Sequence, residues 1–220
     1  MASGSLPATR MSFSASKYAL FLLFGILLIV TWITRDRMLL DANSFLRQRY
    51  APLPTLMLLH GVPGTLALFL GIFQFSSRLR RRHLQVHKVM GWIYVVSVAI
   101  TAPVAVIVAI KLPTPTLLPA SIIQASGWLL ATGTAIYCVL TGKIQQHREW
   151  MMRGYPFAMV FVFARALLAI PAISAQGING LIPVVWSVIA VAGVLPSFVI
   201  EWQRLAAIRR NERLRAAARA

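Results

Sequence analysis

The chain has 220 residues, 58% of them apolar and 12% charged, with 22 Lys and Arg against 5 Asp and Glu for a formal charge of +17. A soluble domain carries about 25% charged residues, and the apolar residues here fall in runs too long for a soluble enzyme, a secreted scaffold or a nucleic-acid module. The one cysteine, Cys138, excludes an internal disulfide and any Cys-pair metal or redox motif.

A spanning helix needs ~20 mostly apolar residues to cross ~30 Å of hydrocarbon. Six segments meet that requirement, at about 17–34, 52–76, 89–110, 121–142, 155–174 and 181–200. The expected fold is all-α: a polytopic membrane helix bundle of six transmembrane helices. Spans two to five form a four-helix core, and spans one and six flank it. Residues 1–16 make an N-terminal tail, 17–202 the membrane domain and 203–220 a basic tail. The first span reads as a retained anchor, because no small-x-small cleavage site follows Trp32-Ile33-Thr34. Leu112-Pro113-Thr114-Pro115 and Gln176-Gly177-Ile178-Asn179-Gly180 are turn-rich links. The link at 35–50 is long enough for a short surface helix.

Lys and Arg set the expected orientation. With the N-terminus inside, 16 of the 22 basic residues fall on the inner side and five outside, leaving Arg165 within a span. Both termini are therefore expected in the cytoplasm and the Lys111–Ala120 link outside. The tail from Arg204 to Arg219 reads as an amphipathic helix facing anionic lipid. No aromatic stacking platform accompanies its charges, so nucleic acid is not the expected partner.

Polar residues are costly in lipid and therefore informative. All five acids, Asp36, Asp41, Glu149, Glu201 and Glu212, fall in links or at span ends on these boundaries. That weakens a cation-coupled transporter, which usually carries its ion on a buried carboxylate. His60 in span two and Arg165 in span five are expected near mid-membrane. Arg165 reads either as a clamp on backbone carbonyls freed at Pro171 or Pro63, or as a binding position for a quinone head group or a haem propionate. Small residues fall in stripes: His60, Gly64, Ala67 and Gly71; His87, Gly91, Tyr94, Val98 and Thr101; and Gly127, Ala131, Thr134, Cys138 and Thr141. Such stripes allow close helix packing or a slot for a flat macrocycle.

His87 opens span three and His147 precedes span five on the same side. Two neutral imidazoles on facing helices are the usual ligand set of a six-coordinate b-type haem. The pair also suits a metal ion, although no third ligand for zinc is evident. The bland alternative is a pair of interfacial histidines binding head groups or helix ends. His83 shares the face of His87 but follows Arg80, Arg81 and Arg82, whose charge opposes a bound cation.

The run His87-Lys88-Val89-Met90-Gly91-Trp92-Ile93-Tyr94 resembles an H-(R/K)-x-x-G-R-x-Y signature, and His147-Arg148-Glu149-Trp150-Met151-Met152-Arg153 resembles H-R-x-W-M-x-R. Leu59-His60-Gly61 with Phe73-Gln74-Phe75, and Pro196 with Glu201-Trp202, are similar to further stretches of the same set. Together, over about 53–202, they resemble a bacterial family of multi-pass membrane proteins known only as a domain of unknown function. The resemblance implies that His60, His87, His147, Arg153 and Arg165 occupy recurring positions. Trp92, Gly154 and Ser197 stand where that pattern has arginine, serine and asparagine. Two readings of function follow. One is a b-type haem or quinone-linked electron carrier, with His87 and His147 as iron ligands and His60 and Arg165 lining a second polar site. The other is a haem-free transporter or membrane scaffold whose histidines and arginines are structural or lipid-binding.

Overall fold

The computed structural model describes residues 51–111 and 115–218, with positions 22, 23, 25–27, 29, 30, 33, 41, 43 and 48 ahead of them. Apart from those positions, the first span and the 35–50 link lie outside the described residues. Among the described residues there is no strand. Helices α1 (Pro54–Gln74), α2 (Ser77–Arg82), α3 (Leu84–Lys111), α4 (Leu118–Leu140), α5 (Ile144–Leu168), α6 (Pro171–Ser174) and α7 (Ile178–Ala217) follow in order. Five of them, α1, α3, α4, α5 and α7, are long and apolar enough to cross a membrane. The fold is an all-α polytopic bundle.

Two boundaries differ from the sequence reading. The fifth span is Ile144–Leu168 rather than 155–174. Its first turns carry Arg148, Glu149 and Arg153, which depress hydropathy without breaking a helix, since none is a Gly or Pro. The helix stops at Leu168 because Ile170 precedes Pro171 and is extended (φ −72°, ψ 119°). Pro171–Ser174 is a separate short turn. The sixth span does not end at Ile200: it continues through the basic tail as one 40-residue helix. In addition, Ser76 caps a helix the hydropathy pattern did not show, its side chain accepting from the Leu79 N–H at 3.2 Å.

The core helices form a ring in which α1 packs on α3, α3 on α4, α4 on α5, and α5 touches α1. Helix α7 lies along the outside of α5. The register of α1 against α3 is legible in the close contacts Gly64–Thr101, Gly71–Tyr94 and Gly91–Gln74. They advance seven residues and then three along each helix in opposite directions, the a/d rhythm of antiparallel packing. The stripe from His60 to Gly71 is thus a packing seam. A Cβ at Gly71 would sit 2.3 Å from the Tyr155 ring, and one at Gly64 would sit 3.1 Å from the Thr101 hydroxyl. These side chains occupy the space a flat macrocycle would need beside His60. On α4 the buried face runs through Gln124, Trp128, Ala131, Ala135 and Cys138, so the striped positions Thr134 and Thr141 turn away from it.

Two apolar clusters share α5. Ala67, Tyr94, Val98, Trp128, Tyr155 and Met159 belong to the ring interior. Val160 and Ala164, on the opposite side of α5, pack with Val184, Val185, Val188 and Ile189 of α7.

Gly71 tests this packing. Alanine is the better helix former by ~1 kcal/mol, yet Gly71→Ala should destabilise the purified protein by ~1–3 kcal/mol through overpacking against a pinned ring. Gly61→Ala, with open space around its Cβ, should be neutral or slightly stabilising. Thermal unfolding of both variants in one detergent checks the opposite signs.

Candidate functional site

The turn between α4 and α5 places the first candidate. Gly142 adopts φ +76°, a left-handed conformation that costs glycine little. The Lys143 N–H bonds to the Cys138 carbonyl at 2.8 Å and the Gly142 N–H to that of Val139 at 3.2 Å, closing the end of α4. The chain reverses within Thr141–Lys143, so the first turn of α5 lies against the last turns of α4. His147 thereby reaches back, its Nδ1 lying 2.9 Å from the Ala135 carbonyl oxygen. A carbonyl only accepts, so Nδ1 carries a proton and, in the neutral ring, Nε2 holds the lone pair.

His87 occupies the matching place in the first turn of α3, at the same end of the bundle. It lies within electrostatic reach of His147 and of Arg80 on α2. Its Nδ1 is buried without a hydrogen-bond partner, as is Nε2 of Gln74 on α1. Gln74 presses on Gly91, one turn beyond His87, where a Cβ would lie 3.4 Å from its amide oxygen. Among the described residues no three His, Cys, Asp or Glu side chains cluster as a metal site, so any metal held here depends on a two-imidazole set.

His60 and Arg165 lie at the other end of the bundle. The Thr101 hydroxyl donates to the His60 carbonyl at 2.6 Å and, its one proton spent, accepts from His60 Nδ1 at 3.2 Å. The Thr101 carbonyl stands 3.3 Å from the same nitrogen. His60 is therefore bolted to α3, with Nε2 as its lone-pair nitrogen. Arg165 lies within electrostatic reach of His60. With α5 ending at Leu168, Arg165 sits in the last turn, where the negative end of the helix dipole favours a cation. His60 is the seventh residue of α1, about 9 Å along its axis. The two sites thus occupy opposite ends of the ring.

Sequence reasoning missed a third polar group. Glu149, placed in a link on hydropathy, lies inside α5 with 7% of its surface exposed. Its Oε2 accepts from Arg204 of α7 and stands 3.9 Å from Arg153 Nη1. Its Oε1 accepts from Gln145 at 3.1 Å. Arg204 also reaches Glu201 at 3.4 Å, while Arg153 donates to Ser197 at 3.3 Å and lies over the Trp150 ring at 5.1 Å. This network joins the H-R-x-W-M-x-R stretch to the Glu201-Trp202 stretch. The available signal was the i, i+4 spacing of Glu149 and Arg153. Arg204→Ala should lower stability by ~1–2 kcal/mol, because it leaves a mostly buried carboxylate without its main partner. Arg215→Ala, in the exposed last turn, should leave thermal unfolding unchanged.

No curated protein and no solved structure matches the chain. Residues 57–203 match the family described as "Predicted membrane protein (DUF2306)". That match takes in α1 to α5 and α7 up to the Glu149–Arg204 network, and the chain is a member of this family of membrane proteins of unknown function.

Proposed function

We propose that the chain is a membrane electron carrier that binds one b-type haem between His87 and His147. The observation carrying this reading is the hydrogen bond from His147 to the Ala135 carbonyl. It puts a proton on Nδ1 and leaves Nε2 as the nitrogen that would ligate, the kind of support usual for metal-bound histidine. His87 is its counterpart in the first turn of a helix across the ring, at the same end. The donor set fits: two imidazoles at one end of the bundle, with buried polar atoms on His87 and Gln74 left without partners there. Bound haem would supply one-electron chemistry at this end. The protein holds the imidazole orientation through Ala135 and keeps the interior dry with Tyr94, Trp128, Met151 and Tyr155.

At the opposite end, His60 and Arg165 suit a quinone-type head group. His60 Nε2 would accept from a hydroxyl of such a group, with the Arg165 cation beside it. The reading places both termini in the cytoplasm of a bacterium and the His87–His147 end at the inner face, following the basic residues. A second, haem-free reading is a transporter or membrane scaffold. It is favoured by the polar side chains that bond from helix to helix, as Thr101 does to His60 and Tyr155 to Leu68.

The visible spectrum separates the two. Protein purified after haem-supplemented expression should show a Soret band and sharp reduced bands. His87→Ala and His147→Ala should each abolish them, while His83→Ala spares them. Absence of Soret absorbance removes the electron-carrier reading and leaves the haem-free one. Topology is tested separately: a reporter fused in the Lys111–Ala120 link should read as external, and a cytoplasmic signal there contradicts the orientation.

A further inference from the structure

His60 and Thr101 join α1 to α3 through three contacts at one point, and those contacts decide which protons the pair has left. Thr101 is buried, with 1% of its surface exposed. A threonine inside a helix commonly turns its hydroxyl back to the carbonyl four residues earlier. Here the hydroxyl proton goes across to the His60 carbonyl at 2.6 Å instead. Gly64, one turn beyond His60, makes room for it, since a Cβ there would lie 3.1 Å from the Thr101 hydroxyl oxygen. That hydroxyl has one proton, so only its lone pairs face His60 Nδ1 at 3.2 Å. The Thr101 carbonyl, 3.3 Å from the same nitrogen, likewise only accepts. Two acceptors facing one ring nitrogen exclude a lone pair on it. Nδ1 therefore carries the proton, and in the neutral ring Nε2 is a bare acceptor.

We infer that Thr101 is a positioning residue that makes the His60 site select the hydroxyl-bearing form of its ligand, a quinol rather than the matching quinone. A quinol brings an O–H for Nε2 to accept. A quinone offers carbonyl oxygens alone, which would meet the Nε2 lone pair with no proton between them. Leaving a polar group unmet in a site closed from water costs more than the bond itself contributes. A site built to read a hydroxyl rejects the analogue without one for that reason. The inference rests on the reading of the His60 end as a quinone-type site and does not depend on haem.

The test titrates duroquinol and duroquinone, anaerobically, into the full chain in a neutral detergent at about pH 8, where an ordinary imidazole is neutral. In parallel, NMR of isotope-labelled histidine follows the ring nitrogens, the His60 signals being assigned by their loss in His60→Asn. The wild type should bind the quinol about tenfold more tightly than the quinone, with the His60 proton on Nδ1. Thr101→Ser should keep both results. Thr101→Val should cut the preference severalfold and shift the His60 proton toward Nε2, a change that a merely structural threonine would not produce. His60→Asn retains an amide that can donate to Thr101, so it should fold as the wild type does and bind the two probes alike. Four results each overturn the inference: equal binding by the wild type, no binding of either probe, a wild-type proton on Nε2, or a preference kept in His60→Asn. A quinol preference in protein without Soret absorbance supports the inference and removes only the haem. Soret absorbance without the preference keeps the haem and overturns the inference.

Discussion

Hydrogen bonds from side chains into neighbouring helices hold this bundle in its ring. In lipid, apolar surface gains little by meeting other apolar surface, so helices associate through close packing and through polar groups that find partners across the interface. Each adjacent pair of the ring has such a bond. Thr101 donates to the His60 carbonyl between α3 and α1, and Trp128 donates to the Tyr94 hydroxyl at 2.9 Å between α4 and α3. Gln124 donates to the Phe157 carbonyl at 3.0 Å between α4 and α5, and Tyr155 to the Leu68 carbonyl at 2.8 Å between α5 and α1. The bonds need backbones close together, and the small residues permit it. A Cβ at Gly127 would lie 2.7 Å from Phe157, as one at Gly71 would crowd Tyr155. Packing and hydrogen bonding therefore depend on the same positions.

Helix α5 is the shared member. It contributes to the ring interior through Tyr155 and Met159 and to the second cluster through Val160 and Ala164. It also carries His147 at one end and Arg165 at the other, with Glu149 fastening it to α7. A shift of α5 along its axis would disturb both candidate sites and the ion-pair network together. That economy explains why a polar, weakly hydrophobic helix is kept at the centre of a membrane protein.

The spans were legible because hydropathy reports burial in lipid directly, and α1, α3, α4 and α7 contain uninterrupted apolar stretches. The start of α5 was not, since Arg148, Glu149 and Arg153 read as a link when scored by hydropathy although they are good or adequate helix residues. That single misplacement hid a buried carboxylate and set Arg165 in the middle of its helix rather than in the last turn. His60, His87 and His147 were visible as rare polar residues. Their partners Thr101 and Ala135 were not, because a register between helices cannot be read from the periodicity of either helix alone. Ala135 acts through its carbonyl, which no side-chain pattern records.

The length of α7 has a mechanical consequence. Forty helical residues extend ~60 Å, about twice the hydrocarbon thickness. The same helix that packs on α5 through Val188 and Ile189 thus continues into the basic tail, with no loop between them to absorb movement. Arg204 grips Glu149 just where the helix leaves the bundle. The basic tail is thus continuous with the span, and the Arg204–Glu149 ion pair fastens it to α5 at the point of exit.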